Sequence, residues 1–315
     1  MNEVLLLYGL LSLFSIRPLF GPQDPMLKSI SPSTKRALLK GQYPAADAEL
    51  TAALRTDPAN AATLYYLRGV SRSRQQQWPT AQQDFSAAIQ HDSTNGWFYV
   101  GRARTQFEQH RLGQARHDYA LAFKRTPSAH ADTEVAALVG VVELFMNNAP
   151  QAVQELELAT VLDLRNDFAW YYLTVARTVS HQPKAAAASC KEYIRWHLKR
   201  PEGYVNRALL NCSIKNYQQA AADVDYALQL APADPGTARA RVVVAALSGQ
   251  AAQAEALLAT LAAQTTDPGT LHLDLGDLYM QAGHNAAANK HWAQAQQLGN
   301  AEAVERLAAG FRPAS

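Results

Sequence analysis

The chain of 315 residues reads as all-α, a repeated pair of helices strung along its length. Composition is the first reason. Alanine, the strongest helix former, accounts for 58 residues against 16 glycines. The second is a spacing. Ala46, Ala81, Ala115, Ala152, Ala186, Ala220, Ala254 and Ala288 recur at intervals of 35, 34, 37, 34, 34, 34 and 34 residues, and a fixed period of this size marks a repeat array. The third is agreement elsewhere in the unit. With those alanines at position 20 of 34, position 24 is apolar throughout: Leu50, Phe85, Tyr119, Leu156, Cys190, Val224, Leu258 and Trp292. Position 27 is Ala in six of the eight units, with Tyr193 and Leu261 the exceptions.

Taken in order, residues 1–26 come first, a hydrophobic segment and a linker. Residues 4–16 carry no charge and are too few to span a bilayer comfortably, but their length suits the apolar core of an export signal. No Lys or Arg precedes them and no Ala-x-Ala-like site follows. Two readings stand: an export or membrane-anchoring signal, or a first helix of a cytoplasmic chain that packs on the end of the array. Pro18, Pro22 and Pro25 then form a short stiff linker. The repeats follow as 27–60, 62–95, 96–129, 133–166, 167–200, 201–234, 235–268 and 269–302, with one extra residue at Ala61 and three at 130–132. In the first unit Ser31 is the expected cap and Pro32 the first helical residue. Small residues at position 8 (Gly69, Ala103, Gly140, Ala208, Gly276) and at position 20 let the two helices of a unit cross closely, while large residues at 4 and 24 fill the space left. Pro58, Pro127 and Pro232 at position 32 stop second helices. Residues 301–309 continue as a helix that closes the C-terminal end, and 303–315 serve as cap and tail.

This pattern resembles the tetratricopeptide repeat (TPR) family over residues 27–302. The resemblance implies a right-handed superhelical α-solenoid of about eight helix-turn-helix repeats with a C-terminal capping helix. It also implies a function of holding other proteins, with no cofactor or metal. In the family, positions 2, 5, 9 and 12 of each first helix point into a concave groove. Carried onto this sequence, the partner-binding groove comprises Tyr66, Val70, Trp97, Val100, Arg104, Phe107, Phe168, Tyr171 and Val175. Chaperone-binding members clamp a C-terminal carboxylate with Lys and Asn at positions 5 and 9. Here those places hold Tyr66 and Val70, or Tyr171 and Val175, so an acidic chaperone tail does not fit. The expected partner is an extended or helical protein segment held by apolar anchors.

A net charge of +2 does not by itself imply a nucleic-acid or membrane partner. It is unevenly spread, however. Residues 61–130 hold nine Lys and Arg against four acids, whereas 201–302 are net acidic. A nucleic-acid-binding solenoid using the basic second and third units is therefore the alternative. Catalytic motifs are missing: there is no phosphate-binding Gly-rich loop, no His-Glu-x-x-His, no Gly-x-Ser-x-Gly and no paired-Cys metal spacing. The eighth unit clusters His272, Asp274, Asp277, His284 and His291. The plain expectation there is solvated helix faces plus one partly buried His, and the sharper one a metal or acid–base site. Cys190 and Cys212 are expected as two buried free thiols, or as a disulfide between neighbouring helices.

Overall fold

The computed structural model describes residues 25–265, 267–281 and 284–308; the apolar segment 4–16 and the tail 309–315 lie outside the described residues. Among these there is helix and no strand. The α-helices come in pairs: α1 (Pro32–Leu39) with α2 (Tyr43–Thr56), α3 (Ala61–Arg74) with α4 (Trp78–His91), α5 (Gly96–Glu108) with α6 (Leu112–Arg125), and α7 (Thr133–Phe145) with α8 (Ala149–Leu162). These belong to one compact unit, ending at Asn166. A second unit begins at Asp167. It contains α9 (Asp167–Val179) with α10 (Pro183–Trp196), α11 (Pro201–Ser213) with α12 (Tyr217–Leu230), α13 (Pro235–Leu247) with α14 (Ala251–Ala262), α15 (Pro268–Gln281) with α16 (Asn285–Gln297), and a closing helix, α17 (Ala301–Ala308).

Local chemistry sets the ends of these helices. Ser31 caps α1 by accepting the amide of Thr34, and Pro32 occupies the first turn, where its missing N–H costs nothing. The residues after α2 and α6 turn at Pro58 and Pro127 into short 3-10 turns, Pro58–Asn60 and Pro127–Ala131. Between the helices of a pair, the seven described turns place one residue at positive φ: Gly41, Gln76, His110, Asn147, His181, Lys215 and Gly249. The next residue's amide reaches back to the carbonyl five residues earlier, as in Gln77 to Arg72 and Asn216 to Asn211. This ends the first helix and aims the second back along it.

The packing follows the repeat. All eight alanines at position 20 are fully buried, and every residue at position 24 is buried with them. A side chain on Gly69 or Gly276 would collide with the ring that position 24 supplies, Phe85 or Trp292, at under 3 Å. Small residues at position 8 are thus needed because large ones stand at position 24. Leu27, just before α1, is buried in the first unit's core beside Leu38 and Leu50, so the end of the linker belongs to the fold.

A polar element runs beside this apolar one. In three repeats a Tyr at position 4, an Arg at position 7 and an Asp at position 23 form one module. Arg68, Arg102 and Arg207 donate through two nitrogens each to Asp84, Asp118 and Asp223, at 2.6–3.0 Å. Each guanidinium also lies over its own Tyr65, Tyr99 or Tyr204 ring, 5.3–5.7 Å from the centroid. The Asp carboxylates are buried, so each is a desolvated charge that its Arg must neutralise.

Candidate binding face

Within each unit the first helices also touch one another: α3 meets α5 and α5 meets α7 in one, and α9, α11, α13 and α15 meet in turn in the other. That layer is where the groove residues lie, and it changes the reading of them. Positions 5 and 9 do not line an open surface. Tyr66, Val70, Val100, Arg104, Tyr171 and Val175 are all buried, the least covered of them Arg104 at 4 % exposure. The physical reason is the close approach of successive first helices, which uses these side chains as the seam. Tyr66 shows it, its ring 5.3 Å from Phe98 of α5 and 5.8 Å from Phe85 of α4. Only Trp97, Phe107 and Phe168 of the nine remain half-exposed. They occupy positions 2 and 12, at the two ends of the helix, where neighbouring first helices no longer cover the side chain.

In the first unit the face is polar around those aromatics. Thr63, Ser73, Arg74, Glu108 and Glu134 are partly exposed beside it. Burial, reinforced by the like charge of Arg74, lowers the Arg104 guanidinium to about 10. Burial lowers Arg74 as well and raises Glu108 above the ordinary carboxylate range, against the pull of Arg104 and Arg74. Two guanidiniums and two carboxylates, Glu108 and Glu134, thus share a partly dehydrated place on the first-helix layer. In the second unit Phe168 packs on Tyr172 at 4.8 Å, and the buried Tyr171 offers its carbonyl to Asn206 Nδ2 at 3.2 Å.

Much of the basic excess in the second and third repeats is consumed internally, while Arg111, Lys124 and Arg125 stay exposed. Arg68 and Arg102 are held by Asp84 and Asp118, Arg72 by Asp47 and Asp84, and Arg116 by Glu143, while Arg104 is buried. They do not form the open basic stripe that a phosphate backbone needs.

The eighth repeat departs from the plain expectation. His291 is fully buried, not solvated, and its Nδ1 lies 3.1 Å from Nδ1 of His272. Its Nε2 faces Glu255 Oε1 at 3.2 Å, an oxygen that also accepts from Lys290 Nζ at 2.6 Å. Tyr279 stacks on the same imidazole, 5.4 Å between centroids. The other members point elsewhere. Asp277 accepts from Trp292 Nε1 at 2.8 Å and from Arg306 of α17. Asp274 borders a cavity of about 20 Å³ with Arg239, Val242, Leu258 and Leu275, room for one water and no ligand. Among the described residues no group of three His, Cys, Asp or Glu is arranged to hold a metal ion.

Cys190 and Cys212 are free, buried thiols. Burial pushes both up to about 12, away from reactivity. No helix among the described residues is long and apolar enough to cross a membrane.

No family model matches this sequence, and no curated protein does. Solved structures do match in fold. A tetratricopeptide repeat protein from Parabacteroides merdae aligns with 80 % of this chain and 99 % of its own, at 14 % identity and a TM-score of 0.64. Yeast Tom70 aligns with 98 % of this chain and 69 % of its own, at 15 % identity and a TM-score of 0.59. YrrB, a TPR protein with an unusual peptide-binding site, aligns with 61 % of this chain and 97 % of its own, at 14 % identity and a TM-score of 0.50. The fold is that of the tetratricopeptide repeat.

Proposed function

We propose that the chain is a scaffold for other proteins, gripping a partner segment on the first-helix face of its repeats. The observation that carries this is the half-exposed pair Trp97 and Phe107 on α5. Aromatic side chains set on a rigid buried layer are suited to anchor an apolar residue at little entropic cost. Glu108 beside them, its carboxylate disfavoured by burial, gains from a matched polar group of the partner. Phe168 offers an anchor of the same kind in the second unit. YrrB, of similar fold, has a peptide-binding site, which favours a peptide-like ligand here. An enzyme reading rests on the eighth repeat alone, where His272 and His291 hydrogen-bond each other and Asp277 is held by Trp292 and Arg306.

Capture of partners from the native cell by the full chain, followed by crosslinking, tests the proposal. Trp97→Ala with Phe107→Ala is expected to abolish capture and leave the helical circular dichroism unchanged. Tyr66→Ala instead should unfold the first unit. Crosslinks that avoid α3, α5 and α7, or undiminished capture by the double variant, would sink the idea. Whether residues 4–16 export or anchor the chain is a separate proposal, tested by N-terminal sequencing of the mature protein.

A further inference from the structure

The outer face of α10 and the turn that follows it carry a surface unlike the rest of their unit. The inner side of α10 is Ala186, Ser189, Cys190 and Tyr193, all buried. Lys184, Lys191 and Arg195 are exposed and stand seven and four residues apart, so they fall on one stripe of the opposite side. The end of the helix presents Trp196 at 37 % exposure and the turn Leu198 at 61 %, with Lys199 exposed beside them. Arg195 lies over the Trp196 ring at 5.6 Å. One acid interrupts the stripe, Glu192, 3.4 Å from Arg195. Arg200 belongs to the structure instead, paired with Asp167 and Glu202. The outer faces of α12 and α14 contain no Lys or Arg at all and present Gln218, Gln219, Asp225, Tyr226, Gln229 and alanines.

We infer that this face docks on an anionic lipid surface, with Leu198 and Trp196 entering the headgroup layer and Lys184, Lys191, Arg195 and Lys199 meeting lipid charges. Both halves of that statement have a physical source. Exposed Leu costs free energy in water, and an indole is at home at a membrane interface, where its ring is apolar and its N–H stays wet. Lys and Arg on either side of the apolar tip are long enough to keep their charges among the headgroups while their stems follow the ring inward. Four cations with two small apolar anchors are a peripheral, reversible site dominated by electrostatics. An acidic peptide or RNA would use the same cations. Neither needs an aliphatic side chain standing out at the turn. The surface is distinct from the first-helix face proposed to hold a partner, so lipid and partner can be bound together.

Sedimentation of the full chain with phosphatidylcholine vesicles, with and without 30 % phosphatidylglycerol, reads this directly. Binding is expected only to the anionic vesicles and is expected to fall steeply between roughly 50 and 300 mM salt. Lys191→Glu with Arg195→Glu and Lys199→Glu should weaken it at least tenfold, and Leu198→Ser severalfold. Trp196→Phe should remove most of the blue shift in tryptophan emission seen with vesicles. These side chains are exposed, so circular dichroism and thermal midpoint should match the wild type in every variant. Equal binding to neutral vesicles, undiminished binding by the triple charge reversal, or retention on RNA or an acidic peptide with none on vesicles would each overturn the inference.

Discussion

The imidazole pair in the eighth repeat is the residue with the most to say about pH. At 3.1 Å one Nδ1 must carry the proton and the other accept it, so the two rings cannot both be protonated without separating. Burial lowers both imidazoles from their ordinary 6.5, with Glu255 pulling the other way and Lys290 adding to the fall. An unfolded chain takes up those protons near pH 6.5 while the folded one refuses them. Stability is therefore lost as pH falls below about 6.5. Asp274 has the opposite sign. Burial, and then the neighbouring Asp277, raises it to about 7, so the folded state holds a proton that the unfolded state releases near 3.8, and stability is lost as pH rises towards 7. Thermal melts from pH 4 to 8 should show His291→Gln lessening the loss of stability below about pH 6.5, and Asp274→Asn lessening the loss that accrues as pH rises from about 4 to 7. A profile unchanged in both would disprove the assignment. At the same scale, Lys215 sits at φ 61° at the turn of its repeat. Lys215→Gly should stabilise by about 1 kcal/mol, since a side chain there strains against its own backbone. Urea unfolding would measure it.

At the scale of the helix pair, the Tyr–Arg–Asp module ties first helix to second. Asp118 is 2 % exposed and takes two of the three hydrogen bonds of Arg102. Asp118→Ala leaves a guanidinium with its charge partner gone and should cost about 3 kcal/mol. Combining it with Arg102→Ala should cost less than the sum of the two, because the second change removes the stranded charge. The departures from this module tell as much. In the eighth repeat positions 4 and 23 are His272 and His291 in place of Tyr and Asp, which is why an imidazole pair with one buried member exists there. The closing helix α17 is pinned by Arg306 to Asp277, a carboxylate on α15 of the last pair. Arg306→Ala should free α17, visible as faster amide exchange over Ala301–Ala308 with α13 and α14 unaffected.

For the molecule as a whole, a repeat array distributes its stability among neighbours, so damage stays local. Phe85 lies against the backbones of Gly69 and Gly101 on two successive first helices. Phe85→Ala should cost about 4 kcal/mol and raise amide exchange from α3 to α6. Protection in α11 to α16 should hardly change. Loss of protection along the entire chain would show a single cooperative core instead.

Much of this was legible in the sequence. The eight position-20 alanines all turn out buried, Ser31 and Pro32 start their helix, and Pro58 and Pro127 end the ones before them, because spacing, capping and proline stereochemistry are local matters. The Tyr–x–x–Arg and the Asp sixteen residues beyond the Arg were present at the same 34-residue period and could have been found by aligning the polar positions as well as the apolar ones. What local rules cannot supply is how closely one first helix approaches the next. That close approach, seen where Phe85 lies against Gly69 and Gly101 of successive first helices, goes with Tyr66, Val70, Val100, Arg104, Tyr171 and Val175 forming a buried seam. It left Trp97, Phe107 and Phe168 as the accessible remainder. The sequence by itself determined the repeat, its register and the ends of its helices. Only the tertiary structure decided which faces stay open, since exposure depends on neighbours remote in the chain.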